Sequence, residues 1–426
     1  MVKIHGVRGA PDILPPEAKL LWQRLEGTAR AILERYNYEE IRTPVFERTE
    51  LFVRSIGEGT DIVEKEMYTF QDKGGESLTL RPEGTAPAVR SYLEHARFGK
   101  GTLAKVYYIG PMFRHERPQA GRFRQFHQIG AEAIGVGGPE VDAEVIEILA
   151  YLFEALGLRD VTLHLNSIGD AACRPAFRER FAAYMRERKD DLCPDCHVRL
   201  EKNPLRIMDC KNPRCQAAVA GAPKAAENLC EACRAHFARV RELLEALGIP
   251  YVLNERLVRG LDYYTRTTFE FTAAGLGAQN AIAGGGRYDG LIETIGGPST
   301  PAIGFAVGME RVILCLKGLE ASAEGRREGV YVANADAAGA SQAFLVARDL
   351  RRAGFRAVVN LEGRKLNRQI GQADGDMFLY CVILGENEVR SGQATVKDLK
   401  SGQQEVVPFA QLVDWLKAHP REAPAE

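Results

Sequence analysis

No apolar run in this chain approaches the roughly 20 residues that a membrane-spanning helix needs. Neither sign of charge dominates: 56 lysines and arginines stand against 57 acids. That balance excludes a strongly basic nucleic-acid arm and an acidic tail, although a local basic strip can still bind phosphate on a neutral protein. The first residues, Met-Val-Lys-Ile-His-Gly-Val-Arg-Gly, carry charges and glycines where a secretory signal needs an apolar stretch. A cytoplasmic protein is therefore expected. The familiar nucleotide and hydrolase motifs are also missing. No Gly-x-x-x-x-Gly-Lys-Ser/Thr loop, Gly-x-Gly-x-x-Gly turn, His-Glu-x-x-His helix or Gly-x-Ser-x-Gly elbow occurs. ATP, if bound, has to sit on an unrelated scaffold and be gripped by arginines. There is no internal repeat and no low-complexity tract.

What remains is an ordinary globular composition of 426 residues, long enough for roughly two to four domains with a sizeable core. Pro16 suits the first position of a helix whose Leu21, Leu25, Ala29, Ile32 and Leu33 share one face, ending near Asn37. Residues 41–46 read as a strand, and Pro44 confines it to an edge or an interface. Apolar segments follow at 78–80, 106–109 and 123–134. Pro139 then opens a helix with a stripe of Val141, Val145, Ile148, Leu149, Leu152 and Leu156, closed by Gly157. Residues 170–250 carry many charges, helical patterns and most of the cysteines, and read as an insertion. Strands return at 267–272 and 280–283, the latter followed by a glycine-rich turn at Gly284-Gly285-Gly286. Residues 318–329 read as a linker. Beyond it, strands and helices alternate as far as residue 384, the pattern of a small α/β domain.

Arginines recur at turns. Phe113-Arg114-His115-Glu116 leads into the polar loop Arg117-Pro118-Gln119-Ala120-Gly121-Arg122, and the chain re-enters a strand at Phe123. On that strand Arg124, Phe126, Gln128, Gly130 and Glu132 share one face, with Phe123, Ile129 and Ala131 on the other. Taken alone, this fits a solvated sheet face as well as a binding face. Leu80-Arg81-Pro82-Glu83-Gly84-Thr85 ends a strand at a turn with an acid and a hydroxyl. Arg259-Gly260-Leu261-Asp262-Tyr263-Tyr264-Thr265 puts an arginine beside paired tyrosines, which alone would suit core packing. Gly304-Phe305-Ala306-Val307-Gly308-Met309-Glu310-Arg311 alternates small and apolar residues into an arginine near a helix start, and small residues allow a close backbone approach.

Together these segments resemble the three signature motifs of class II aminoacyl-tRNA synthetases: residues 35–46, the Phe113-Arg114-His115-Glu116 loop with its return strand, and residues 304–311. Two departures stand out, Asn37 for a usual glycine and Ala306 for a small glycine. Leu257 to Thr265, Ala283-Gly284-Gly285-Gly286-Arg287-Tyr288-Asp289-Gly290 and the opening Val7 to Pro15 are similar to the histidyl-tRNA synthetase family in particular. The resemblance covers nearly the whole chain and is weakest in the cysteine-rich insertion.

The resemblance implies an α+β catalytic domain on an antiparallel sheet with a helical insertion, followed by a C-terminal α/β anticodon-binding domain. The expected boundaries are 1–169 and 251–320 for the catalytic parts, 170–250 for the insertion and 330–426 for the last domain. It implies ATP with Mg2+, L-histidine, tRNA(His) and a homodimer. Arg114 and Arg259 would contact the α-phosphate, Glu116 would orient the nucleotide, and Arg311 would pack on adenine or reach the γ-phosphate. Arginine suits the work because its fork grips phosphate oxygens bidentately. Glu83, Gly84, Thr85 and Gln128 would hold the amino-acid end of histidine. Glu132 would accept the ring N–H, Tyr264 would donate to the other ring nitrogen, and Tyr263 and Tyr288 would wall the pocket. Arg117 and Gln119, and in the last domain Arg351 and Arg352, are the tRNA candidates. The latter two lie in a stretch, 348–368, where seven cations face two acids.

Nine cysteines on a long chain do not look like a secreted disulfide framework, and six of them fall between Cys193 and Cys233. Cys193-Pro194-Asp195-Cys196 and Cys230-Glu231-Ala232-Cys233, with Cys210 and Cys215 between them, could build a tetrahedral zinc site. The intervening stretch is longer than in a compact zinc ribbon, and reduced thiols without Zn2+ are the favoured expectation. Cys173, Cys315 and Cys381 read as core residues. The alternative function is a histidine-binding regulatory paralogue of the same catalytic fold. Such paralogues usually lack the C-terminal domain and the motif arginines, both of which are present here.

Overall fold

The computed structural model describes residues 4–15, 18–95, 103–277, 280–320 and 327–419. Pro16 lies outside them. The first amphipathic segment is π-helical over Ala18–Gln23 and continues as helix α1, Arg24–Arg35, burying Leu25, Ala29, Ile32 and Leu33. Asn37, at φ +63°, ends it in the left-handed conformation. The strand expected at 41–46 does not form. The chain makes strand β1 at Glu39–Glu40, runs irregularly, and makes β2 at Phe46–Arg48 in a different sheet. Pro44 has no N–H for a ladder. The buried Arg81 guanidinium also takes the Thr43 carbonyl and hydroxyl at 3.1 and 3.0 Å, so this segment is bound by a side chain instead of a strand. Helix α2 (Thr49–Ile56), β3 (Tyr68–Gln71) and β4 (Ser77–Leu80) complete a three-stranded sheet ordered β2-β4-β3 with its covering helix. Helix α3, Thr85–His95, follows the Glu83 turn.

The long hairpin β5 (Ala104–Phe113) and β6 (Gln125–Ile134) leads to α4 (Pro139–Ala155) and β7 (Val161–Ser167). A helical stretch intervenes: α5 (Arg174–Arg186), α6 (Pro194–Lys202), α7 (Pro213–Val219) and α8 (Glu231–Ala246). The chain returns through β8 (Tyr251–Leu253), β9 (Thr265–Ala273), β10 (Ala281–Arg287), the short α9 (Leu291–Thr294), β11 (Ala302–Gly308) and α10 (Met309–Glu320). The result is an eight-stranded sheet ordered β1-β5-β6-β11-β10-β9-β7-β8, antiparallel except for the outermost pairs β1/β5 and β7/β8. Helices α1, α4, α8 and α10 bury one face of it.

Two expectations are corrected here. Gly284, Gly285 and Gly286 are not a turn; they continue β10 between β9 and β11. A side chain at Gly285 would overlap the Gly304 carbonyl, and one at Gly284 would overlap the Arg259 guanidinium, so glycine serves close packing within a strand. The linker does not begin at residue 318, because α10 continues through Glu320.

A buried ion pair ties this unit together. The Arg287 guanidinium, with none of its surface exposed, meets the fully buried Asp142 carboxylate of α4 at 2.5 Å. His236 Nε2 of α8 lies 2.8 Å from the other Asp142 oxygen, and Arg287 also donates to Asp289 and to the Val136 carbonyl.

The second compact unit spans residues 322–426. It contains β12 (Val330–Asn334), α11 (Ala337–Arg352), β13 (Ala357–Val359), α12 (Leu366–Gly375), β14 (Tyr380–Leu384), α13 (Glu386–Ser391), β15 (Gln393–Asp398), β16 (Gln404–Pro408) and α14 (Leu412–Ala418). Its sheet is ordered β13-β12-β14-β15-β16. The first three strands are parallel, and β15 and β16 join antiparallel. Those last two strands are short and mixed in polarity, and the reading by alternation did not reach them.

Removing one partner of a buried pair leaves the other charge uncompensated, which typically destabilises by about 3–5 kcal/mol. Asp142→Ala is therefore expected to lower the stability of the first unit by that amount in denaturant unfolding. A change below about 1 kcal/mol would show that Arg287 is not held by this contact.

Candidate active site

Along β6 the side chains alternate. Ile129 and Ala131 enter the helix-covered core, whereas Gln128 faces an open cleft of about 890 Å³ and Glu132 lies buried behind it. The cleft gathers Glu83, Thr85, Arg114, Glu116, Gln128, Arg259, Tyr263, Tyr264, Tyr288 and Arg311, residues spread over more than 220 positions of sequence. The solvated-face reading of β6 is thereby displaced. Arg117 and Gln119 do not enter the cleft. Both are exposed on the β5–β6 loop, where Gln119 pairs with Arg122.

At the inner end, the Glu132 carboxyl is completely buried and surrounded by hydroxyls. Thr85 Oγ1 donates to Oε1 at 2.8 Å, Tyr108 lies 3.2 Å from the same oxygen, and Tyr288 is 2.5 Å from Oε2. Burial pushes this carboxyl up to about 8, with the hydroxyls pulling the other way and nearby Glu83 adding to the rise. Gly304 faces it from β11, and any side chain there would strike the Glu132 carboxyl. The small residue in the third motif thus makes room for a protein carboxyl. Tyr108 was not singled out from sequence; lying on β5 directly opposite Gly130, it is visible only once the hairpin register is known. Its ring also fills the space beside Gly84, which explains a glycine there without any ligand. The Tyr263 ring lies tilted at 4.7 Å from Tyr264 and edge-on at 5.7 Å from Tyr288, completing an aromatic wall.

Glu83 caps the start of α3, accepting from the Thr85 and Ala86 amides at 2.6 and 2.9 Å. Burial raises its carboxyl above the ordinary range. The Gln128 side-chain oxygen is buried without a hydrogen-bond partner, an acceptor available to a ligand donor.

The arginines occupy the outer part of the cleft. Arg114 donates through Nε to the Pro82 carbonyl at 2.9 Å and lies over the Phe126 ring, so its stem is fixed. Arg259 pairs with Glu270 of β9, and Arg122 pairs with Glu116 at 3.2 Å. Arg311 reaches across to the carbonyls of Gly121 and Ala281, fastening the β5–β6 loop to β10. Another link was missed in the sequence. Glu310 accepts from the His127 backbone amide at 2.8 Å and meets its ring Nδ1 at 3.0 Å, joining α10 to β6.

In the second unit several of the cations counted as basic are already paired: Arg348 with Asp349, Arg364 with Glu362, and Arg356 with Glu328. Arg351 donates to the Ala357 carbonyl at 2.8 Å. Arg351 and Arg352 are exposed near the end of α11.

An antiparallel sheet with arginines on a long hairpin and on the helix that follows its central strand is the architecture of a class II aminoacyl-tRNA synthetase. Residues 9–172 and 207–312 match the histidyl-tRNA synthetase family, and residues 330–419 match the anticodon binding domain family. The chain is 52% identical over 412 residues to the histidine–tRNA ligase of Moorella thermoacetica, covering 96% of this chain and 97% of that protein. It is 50% identical to that of Syntrophotalea carbinolica, covering 95% and 96%. The apo S. aureus histidyl-tRNA synthetase crystal structure superposes with a TM-score of 0.80 at 36% identity, covering 98% of this chain and all of that one. The chain belongs to the histidyl-tRNA synthetase family.

The buried Glu132 carboxyl gives a pH signature in the free protein. The unfolded chain releases its proton near the ordinary value of 4.5, while the folded chain keeps it to about 8. Stability therefore falls as pH rises between those values, by roughly 4–5 kcal/mol at most. Glu132→Gln has no such proton. Urea unfolding at about pH 5 and about pH 8 should show the wild type losing stability relative to the variant as pH rises. Parallel curves for the two proteins would contradict the buried neutral carboxyl.

Proposed function

We propose the following division of labour for the histidine–tRNA ligase reaction in this cleft. In the first step a carboxylate oxygen of L-histidine attacks the α-phosphorus of ATP, the bond to the β-phosphate bridging oxygen breaks, and pyrophosphate leaves. In the second, a hydroxyl of the tRNA(His) 3′ end attacks the histidyl carbonyl and AMP leaves. The first step depends on positioning and on stabilising charge at phosphorus. Arg114 and Arg259 are assigned to the α-phosphate. The observation that carries this reading is that both line the one cleft whose inner end is the hydroxyl-ringed Glu132. Arg259 is neutralised by Glu270 in the free protein, so nucleotide binding redistributes that pair. Arg311 and Glu116 are assigned to the nucleotide's outer parts. Mg2+ supplies charge neutralisation on the phosphates when bound. Glu270 is the carboxylate beside Arg259 in the cleft that can meet it.

The amino-acid end is assigned to Glu83, Gly84, Thr85 and Gln128, supported by the unpartnered Gln128 oxygen. The imidazole is assigned to Glu132 and Tyr264. Tyr288 takes a more specific role than wall, since its hydroxyl orients Glu132. A pocket that satisfies both ring nitrogens rejects apolar isosteres, because those would leave buried groups unpaired. On this assignment Glu132→Gln weakens histidine binding more than ATP binding.

Arg117 and Gln119, exposed on their loop, are assigned to the acceptor end of tRNA, and the basic stretch of α11 and its neighbours to the anticodon arm. A homodimer is proposed. Val45, Phe46 and Phe70 are exposed apolar side chains in and beside the three-stranded sheet, the kind of surface a second copy would cover. The proposal places the reaction in the cytoplasm, with the rest of protein synthesis.

Two measurements test the assignment. Arg259→Ala should leave histidine binding largely intact and slow adenylate formation by at least about a hundredfold. Near wild-type single-turnover adenylation would remove Arg259 from the chemistry. A chain ending within 321–326 retains every proposed ATP and histidine contact. It should keep histidine-dependent pyrophosphate exchange within about tenfold while tRNA charging falls much further and tRNA binding shows a shallower salt dependence. Undiminished charging by a folded truncation would refute the anticodon assignment.

A further inference from the structure

The sequence left six clustered cysteines without a partner choice, and the fold divides them. Cys193 and Cys196 meet Cys210 and Cys215, with all four sulfurs within 4.8 Å of one another. Cys230 and Cys233 turn away to a separate group with Cys173 and Asp170. The first group has the chemistry of a metal centre. Its sulfurs are too far apart for disulfides, which require about 2.05 Å, and all four cysteines are free. Cys193 Sγ and Cys210 Sγ are 3.8 Å apart. Four thiolates at about 2.3 Å around a tetrahedral zinc ion lie about 3.8 Å from one another. Backbone amides point at two of the sulfurs: Cys193 N–H donates to Cys215 Sγ at 3.1 Å, and Asn212 N–H to Cys210 Sγ at 3.4 Å. Such donors stabilise thiolate charge and fix sulfur direction. Buried cysteines acting only as small hydrophobes have no reason to aim four sulfurs at one point.

The surroundings give the cluster a purpose. Cys196 and Cys215 have no exposed surface, and the four sit among Phe181, Met185, Leu200 and Ile207 in a core separate from that of the catalytic sheet. A core of this size is where a closed metal site contributes most to folding. The segment between the two ligand pairs also touches the active-site strap. Asn203 donates to Asp262 at 2.6 Å, and Arg206 donates to the Gly260 carbonyl at 2.9 Å. Both contacts bear on the segment that carries Arg259, Tyr263 and Tyr264.

We propose that Cys193, Cys196, Cys210 and Cys215 bind one Zn2+ ion in a closed tetrahedral site that holds residues 203–206 against the 259–264 segment. The ion has no open position and takes no part in the reaction. The second group is left out of the proposal, because the Asp170 carboxylate is already engaged by Arg266 at 3.1 and 3.2 Å and by the Ala172 amide.

The test uses the full chain purified under reducing conditions. Elemental analysis should find stoichiometric zinc, and Cys196→Ser/Cys210→Ser should contain one equivalent less. Titrating the wild type with a mercurial thiol reagent should release that equivalent as four thiols react. Cobalt substitution should give the thiolate charge-transfer and tetrahedral ligand-field bands in the wild type and lose them in the double variant. Hydrogen exchange should speed up at 194–215 and 259–264 on zinc removal. Should the double variant fail to fold, Cys215→His, which keeps a fourth ligand, should fold and retain zinc. Wild-type protein without stoichiometric zinc, or a folded double variant with undiminished zinc, would overturn the site. Unchanged exchange at 259–264 after zinc release would overturn the positioning role.

Discussion

The fully buried pair of Arg287 and Asp142 is the contact on which the catalytic unit depends most. It lies where three pieces of chain, distant in sequence, meet: the end of β10, the first turn of α4, and, through His236, the helix α8 that closes the insertion. Two charges without solvent are costly unless every remaining donor and acceptor is matched. Here the guanidinium also reaches Asp289 and the Val136 carbonyl, and Asp289 in turn accepts from the Ala302 amide at the start of β11. The pair therefore fixes a direction as well as a distance. The next residue after Arg287 is Tyr288, whose hydroxyl holds Glu132.

From that anchor the site is assembled by close approach. Strands β9, β10 and β11 pack this closely because Gly285 has no side chain to strike Phe269 of β9 and the Gly304 carbonyl of β11, and β11 lies against β6 because Gly304 has none either. The space saved at Gly304 is taken by the Glu132 carboxyl, so the chemistry of the inner pocket and the packing of the sheet are one arrangement. The arginines work differently. Arg114 and Arg311 have their stems fastened to backbone carbonyls, which positions their cationic ends in the cleft, whereas Arg259 is held on the Glu270 carboxylate. A preorganised cation needs little rearrangement as charge develops.

The insertion adds a second scale of order. Its helices α5, α6 and α7 form a small core of their own, whereas α8 packs on the catalytic sheet. Helix α5 and the stretch after α6 reach the 260–264 segment through a few polar contacts at 203, 206 and 174, where Arg174 donates to the Tyr264 carbonyl at 2.6 Å. The tyrosine pair and Arg259 are thus held from both sides, by the sheet beneath and by the insertion beside them.

Periodicity alone located α1 and α4, the β5–β6 hairpin and the alternation at the start of the second unit, because amphipathic patterns are local. The Phe113-Arg114-His115-Glu116 and Arg259 to Thr265 segments were legible for a different reason: singly each fitted a solvated face or core packing, and only as a set did they resemble known motifs. What the sequence could not determine were matters of register and of partner choice. Tyr108 enters the pocket because β5 pairs with β6 at that register, and Glu310 matters because α10 brings it onto the His127 amide. Gly284 to Gly286 resembled a turn because glycine marks both bends and close packing, and only the neighbouring strands tell them apart. The cysteines make the same point most plainly. Two Cys-x-x-Cys pairs invite pairing with each other, but the fold sends one to Cys210 and Cys215 and the other to Cys173, which sequence spacing gave no reason to connect. Local chemistry is written in the order of residues; which groups converge is decided by the packing of distant segments.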